Sequence, residues 1–244
     1  CGTLEMHVII PALPATARAQ GMSIGTAQLT ITLYLIGLAI GQLLYGPVSD
    51  RFGRRPVLLV GLSLFTAASV ITALAPTATI LITARILQSI GGCAGLVLGR
   101  AAVRDGATAD KAAGQLALLT LVMAMVPAIA PAIGGFLTAY INWRASYVLL
   151  AVFGGLTLVA CGLLMPETAS PHATRRPMVT SYARLLRSPR FLGYAVGGAC
   201  STTSFYGFMS ASPFIFEGLL HQPTQRVGLY YLLLMGGVAA GSFS

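Results

Sequence analysis

Long apolar stretches follow one another along this chain, and nearly every charge sits in the breaks between them. An α-helix rises 1.5 Å per residue, so about 20 apolar residues cross the hydrocarbon core of a bilayer. Seven stretches qualify: 27–48, 56–74, 78–99, 114–140, 145–165, 191–219 and 227–244. Residues 1–17 read as the outer part of a further span that precedes them. Hydrophobic residues make up 56% of the 244 and charged residues 9%, against about 25% charged in a soluble domain. A soluble fold of this composition would expose apolar surface everywhere, whereas lipid accepts it. An all-α integral membrane protein is therefore expected. The chain opens inside its first span and stops at Ser244 inside its last, so a fragment cut at both ends is expected, holding most of eight spans.

The net charge of +9 raises the question of nucleic acid, and the distribution of the charge answers it. Of the 15 basic residues, eleven lie in three loops: Arg51, Arg54 and Arg55; Arg100, Arg104 and Lys111; Arg175, Arg176, Arg184, Arg187 and Arg190. These loops are every second connection, which is the positive-inside pattern and places them in the cytoplasm. No nucleic-acid partner is expected. The four cysteines, Cys1, Cys93, Cys161 and Cys200, have no metal or disulfide spacing and read as small packing residues. No G-x-S-x-G, Walker loop or metal-spaced His/Glu set occurs, so the chain is not read as an enzyme, and no cofactor or metal is expected.

The longest polar connection, 167–190, is basic and carries Pro171, Pro177 and Pro189. It reads as a cytoplasmic linker between a six-helix bundle over 1–166 and the start of a second bundle over 191–244. A weak internal repeat supports the division. Gly37 and Gly41 form a GxxxG about two dozen residues after Pro11 and Pro14, and Gly237 and Gly241 form another after Pro213. Parallel six-span repeats are a transporter architecture.

The most specific segment is Gly46-Pro-Val-Ser-Asp50-Arg51-Phe-Gly53-Arg54-Arg55-Pro56. Gly53 permits a backbone conformation closed to other residues, and Pro56 suits the first turn of the next helix. Asp50 is placed as a helix-end anion, and the arginines suit acids or lipid phosphate. An ordinary positive-inside loop would explain the arginines, but not the Asp, Gly and Pro at these places. The segment resembles the loop signature between the second and third helices of the major facilitator superfamily.

Further motifs extend the resemblance. Arg85-Ile-Leu-Gln88-Ser-Ile-Gly91 looks like that superfamily's fourth-helix motif. Val126-Pro127-Ala-Ile-Ala130-Pro131-Ala-Ile-Gly134-Gly135 is similar to the fifth-helix motif of its drug/proton antiporters, with Val126 and Ala130 where glycine is common. Asn142-Trp143-Arg144 and Met165-Pro166-Glu167-Thr168 also fit. Leu4-Glu5-Met6, Pro11 with Pro14, and Ser212-Pro213-Phe214 look most like the bicyclomycin/chloramphenicol-resistance branch. The resemblance implies a twelve-span fold of two six-helix bundles, the second incomplete in this chain. It also implies a latch between Arg54 and Asp105 at cytoplasmic helix ends.

Two charges inside spans are the main candidate site. A charge at mid-span costs at least about 2.5–3.5 kcal/mol, so Arg85 should face a cavity or a partner, with Gln88 on the same helical face. Snorkelling to the outer boundary is the alternative for Arg85. Glu5 is the one carboxylate in the first apolar stretch, and burial disfavours the charged form of such a group, as a reversible proton carrier requires. The resembled branch commonly has Asp there, and it places an arginine at position 85 in proton coupling. His7 is expected at the aqueous boundary. Gly91, Gly95 and Gly99 should form a groove for a neighbouring helix, while Pro127 and Pro131 with Gly134 and Gly135 should bend the fifth helix. Tyr34, Phe205, Tyr206 and Phe208 face either a drug cavity or lipid.

Together these features lead to an expected proton-driven exporter of small amphipathic compounds, working by alternating access in a bacterial inner membrane. Its partners are protons, a small-molecule substrate and the lipid bilayer, the proton gradient is its energy source, and it is expected to act as a monomer. A carrier for a specific metabolite or siderophore, and a non-transporting membrane sensor or scaffold, are the alternatives.

Overall fold

Each helix boundary in this chain has a local cause. The computed structural model describes residues 2–106, 109–167, 185–223, 226, 230, 231 and 233. Helix α1 (Gly2–Ile9) runs through a 3₁₀ turn (Ile10–Ala12) into α2 (Leu13–Ala19). The change of winding coincides with Pro11 and Pro14, which lack the amide hydrogen that α-helical bonding needs. Helix α3 (Ile24–Phe52) starts where the Ser23 hydroxyl accepts from the Thr26 amide at 3.1 Å, an N-cap that satisfies one orphan donor. It stops at Gly53, whose φ of +97° is the glycine requirement expected of the signature loop. Helix α4 (Arg54–Leu74) begins at once and ends before Pro76, which disfavours helical backbone in the residue ahead of it.

Helices α5 (Ala78–Gly106), α6 (Ala109–Tyr140) and α7 (Arg144–Leu164) follow. Helix α8 (Pro189–Phe214) starts with proline at its first position, capped by Ser188, and ends in a π turn (Ile215–Leu219) just after Pro213. Among the described residues, five helices are long and apolar enough to cross a membrane: Ile24–Phe52, Arg54–Leu74, Ala78–Arg104, Gly114–Tyr140 and Arg144–Leu164. At 29 residues, α3 extends about 44 Å, more than the hydrocarbon core. The seventh expected span is helical, but it is not one of these five. Glycines 193, 197 and 198 and the polar run Ser201-Thr-Thr-Ser204 dilute its apolar character. The eighth expected span, with Gly237 and Gly241, lies outside the described residues apart from 230, 231 and 233.

The packed part is formed mainly by α1 and α3 to α7, with Met209 of α8 and Tyr231 buried against it. Small residues set how closely these helices approach. A side chain on Gly37 would collide with Ser89, and one on Gly41 would come 3.0 Å from Cys93, so the first GxxxG is the face of α3 that meets α5. A Cβ on Gly91 would lie 2.7 Å from the Gly61 carbonyl oxygen, and Gly154 lets α7 close onto Phe65 of α4. The expected Gly91-Gly95-Gly99 groove is corrected accordingly. Gly91 is a contact, whereas nothing lies within 4 Å of an added Cβ at Gly95 or Gly99. The periodicity is real, but the packed face turns away below Gly91 toward Ala94 and Leu98. Cys93 is the buried packing residue expected of the cysteines. Cys161 is half-buried, and Cys200 is exposed instead. Around the bundle, residues such as Leu163, Leu164 and Val60 are exposed, as a lipid-facing surface requires.

Candidate functional site

Helices α1 and α5 bring the two mid-span charges together. The side chain of Glu5 is 0% exposed and that of Arg85 2%, and Arg85 Nη1 lies 3.7 Å from Glu5 Oε1. Both are enclosed by protein, so neither the boundary placement of Glu5 nor snorkelling by Arg85 holds. The separation is long beside the 2.7–2.9 Å of a tight charged hydrogen bond. Neither carboxylate oxygen of Glu5 has a hydrogen-bond partner, and neither do Arg85 Nε and Nη1. Most buried polar atoms find a partner in the protein or in ordered water, so these atoms are open to water, a proton or a ligand. The chemistry open to such a pair is exchange: a proton on Glu5, or an acceptor group on Arg85, can replace the mutual attraction.

Gln88 is fully buried one turn from Arg85, but it turns to a third helix. Its amide donates to Ser69 Oγ at 2.8 Å, and Ser69 in turn donates to the Phe65 carbonyl oxygen. Gln88 Oε1 is left without a partner. Sequence reasoning passed over Ser69, because hydroxyls of this kind usually bond their own helix. His7 corrects another expectation. It is 2% exposed rather than at a boundary, with Nδ1 2.8 Å from the Thr3 carbonyl oxygen and its ring 6.2 Å from that of Tyr206 on α8. Of the four candidate cavity aromatics, Tyr34 is buried, Phe205 and Tyr206 pack partly against the core, and Phe208 is 49% exposed.

The proline- and glycine-rich segment of α6 touches the charged pair's surroundings only indirectly. Pro127 and Pro131 lie inside α6, which continues through both as one helix to Tyr140. Gly134 and Gly135 are buried. A side chain on Gly134 would run into the carbonyl oxygen of Val8, so this glycine sets how close α6 comes to the helix that carries Glu5.

At the signature loop, Arg54 Nη2 pairs across the Gly53 break with Asp50 Oδ1 at 2.8 Å, and Arg54 Nη1 donates to Ser49 Oγ. Arg51 is exposed and lies over the Phe52 ring at 5.2 Å. The Gly46 carbonyl oxygen accepts from Ser49. The side chain of Asp105 lies outside the described residues. One partner was missed entirely. Glu167, beyond the end of α7, accepts from the backbone amides of Arg54 at 2.9 Å and Arg55 at 3.2 Å. A carboxylate on a helix N-terminus answers both its unpaired donors and its positive dipole end. Gly53 makes room for it, since an added Cβ would lie 2.6 Å from Glu167 Oε2. Arg55 reaches the Gly162 carbonyl oxygen at 2.6 Å, which ties α4 to α7 twice over. The 112-residue gap hid this contact from any local pattern.

At the opposite end of the bundle, Arg144 and Gln20 both donate to the carbonyl oxygen of Ala75, closing the C-terminus of α4. Asn142 caps α7 through the amide of Ala145. Arg18 on α2 reaches Glu217 in the π turn at 3.2 Å, at the edge of a cavity lined by Pro14, Ala17, Met22 and Phe214.

The whole chain, residues 1–244, matches the family model of the Major Facilitator Superfamily. It is 33% identical to an uncharacterized MFS-type transporter of Bacillus subtilis over 99% of this chain and 62% of that protein. It is 32% identical to multidrug resistance protein D of Escherichia coli, covering 95% and 59% of the two chains. With a chloramphenicol resistance protein of Pseudomonas aeruginosa the identity is 33%, over 97% and 56%. The chain thus spans about 60% of the length of these curated relatives. Its backbone superimposes on the crystal structure of a D-xylose-proton symporter with a TM-score of 0.67 at 19% identity, covering 96% of this chain and 63% of that one, which is a likeness of fold.

Proposed function

Because the chain belongs to the major facilitator superfamily, we propose that it forms the energy-coupling part of a proton-driven exporter of small amphipathic compounds. The observation that carries this reading is the Glu5–Arg85 pair: two opposite charges fully enclosed, 3.7 Å apart, with unpartnered polar atoms on both sides. A purely structural ion pair in so enclosed a place gains from tight hydrogen bonding. A loose one suits a group that must give up its partner on every cycle. Glu5 takes up a proton from one side of the membrane, and substrate gives way to it near Arg85. Return of the pair to its charged form completes the exchange. Gln88, one turn from Arg85 and fully buried, is the further polar group we assign to this site. Relatives named for multidrug, chloramphenicol and bicyclomycin resistance support drug-like cargo.

In this reading residues 1–166 form one bundle, 167–190 join it on the cytoplasmic side to a second beginning at 191, and the bacterial inner membrane is the location. Arg54 and Asp105 form the latch at the cytoplasmic end. Arg54→Gln and Asp105→Asn should each impair transport, and the double change should cost less than the sum. Strict additivity would mean that the two do not interact.

The test of the whole reading uses the full-length protein in vesicles and in detergent. Export of labelled chloramphenicol and of other amphipathic compounds should require an imposed proton gradient, and adding them to solubilised protein should release protons. Glu5→Gln should bind yet release none, and Glu5→Asp should retain part of the activity. Equal proton release from Glu5→Gln and wild type would move the carrier elsewhere.

A further inference from the structure

The exchange just described leaves one problem unsolved: what holds Arg85 in place while Glu5 is neutral. A buried cation without a partner is strongly unfavourable and tends to pull toward water. Arg85 Nε and Nη1 have no hydrogen-bond partner to take over. Two aromatic rings from separate helices do lie within reach. The Arg85 Cζ is 5.1 Å from the ring centroid of Tyr34 on α3 and 5.9 Å from that of Tyr147 on α7. Both rings are almost wholly buried, at 0% and 1% exposure. The Tyr34 hydroxyl donates to the Gly2 carbonyl oxygen at 2.7 Å, which fixes that ring to the start of the helix bearing Glu5. Tyr147 is anchored in turn by Trp143, whose ring meets it edge-on at 6.0 Å.

The faces of aromatic rings attract a cation within about 6 Å, and more strongly where water is excluded. That attraction persists when Glu5 carries a proton, and with the carboxylate neutral it carries a larger share of what holds the guanidinium in place. We propose that Tyr34 and Tyr147 are positioning residues, an aromatic clamp that holds the Arg85 guanidinium in place beside Glu5 when that carboxyl group is neutral. The clamp lets the carboxyl group exchange its proton while the arginine stays put, with Nε and Nη1 left to meet an acceptor group on the cargo. A carbonyl, hydroxyl or carboxylate on an amphipathic compound would serve. The role in transport rests on Glu5 as the proton carrier, whereas the physical clamp does not.

The two can be separated by a thermodynamic cycle on the full-length protein in detergent. Phenylalanine, then mono-, di- and trifluorinated phenylalanine, are introduced at position 34 or 147, in the wild-type background and with Glu5→Gln. Fluorination drains the ring face while keeping its shape, so every member of the series should fold. With Glu5→Gln, the melting temperature should fall stepwise with fluorination, by at least about twice as much as in wild type. Tyr34→Phe and Tyr147→Phe alone should keep substrate-induced proton release within about twofold of wild type, because the ring is retained. A flat series, or equal slopes in both backgrounds, would overturn the clamp. A steep series alongside unchanged proton release from Glu5→Gln would keep the clamp and discard Glu5 as the carrier.

Discussion

The N-terminal segment of α1 and α2 meets an opposite charge at two heights, and the two meetings differ in nearly every physical respect. Near its start, Glu5 faces Arg85 at 3.7 Å with exposures of 0% and 2%; beyond its 3₁₀ turn, Arg18 faces Glu217 at 3.2 Å with exposures of 67% and 11%. The shorter pair is worth little. Arg18 stands largely in solvent, where an ion pair is worth about 0–1 kcal/mol and salt screens it further. The longer pair has given up hydration on both sides without gaining good hydrogen bonds in exchange. Distance alone therefore does not say what either pair does. The comparison teaches that a poorly bonded buried pair marks the place where a protein tolerates a cost for the sake of exchange.

The same conservative change made at both heights tests this most sharply. Arg85→Lys should lower gradient-driven export about tenfold or more, because lysine lacks the planar fork and is a poorer partner for the two rings. Arg18→Lys should stay within about twofold. Equal losses at the two positions would erase the distinction. Gly134→Ala should act next most strongly, and only on the buried pair. Its Cβ would strike the Val8 carbonyl oxygen, and overpacking of this kind costs about 1–3 kcal/mol. The readout is a lowered melting temperature with weakened proton release, while a disulfide engineered between positions 18 and 217 should form as readily as before.

Glu167 lies between the extremes, since it is exposed but bonded to two backbone amides. Glu167→Ala should cost about 1 kcal/mol, a cap's worth, measured by thermal unfolding. The smallest effect belongs to Glu217→Gln, at about 0.5 kcal/mol or less, and high salt should abolish even that. A larger, salt-resistant loss would show that the outer pair is more than a surface contact.

How much of this was legible beforehand depended on the kind of signal. Glu5 and Arg85 stood out because a charge inside an apolar run is rare and costly, and that cost is written at a single position. Gly53 was readable for the same reason, as a turn that only glycine makes easily. Tyr34 and Tyr147 gave no such signal. In a membrane helix aromatic residues are at home on every face, so no periodicity separates a ring over a guanidinium from one against lipid. Ser69 was hidden by the habit of hydroxyls to bond their own helix, and it does so while also serving Gln88. Glu167 needed the tertiary fold, since its partners lie on the far side of the bundle's sequence. The glycine repeat misled at Gly95 and Gly99 because spacing gives a face but not the depth at which a neighbour leaves it.

The winding of the two outer segments has a consequence for phase. A 3₁₀ turn advances about 120° per residue against 100° for an α-helix, so three residues from Ile10 to Ala12 turn everything beyond them about 60° ahead. The π turn from Ile215 to Leu219 winds more slowly than an α-helix and sets its own residues back. The two segments thus slip in opposite senses, each beside a proline, and Arg18 and Glu217 come to face each other after those slips rather than along straight helices. Inserting one alanine after Ala12 would carry Arg18 about 100° around its axis and away from Glu217, while Glu5, on the near side of the turn, would keep its bearing toward Arg85. The proline-broken turn therefore acts as a phase boundary, below which the register of the charged site is insulated from length changes at the outer end.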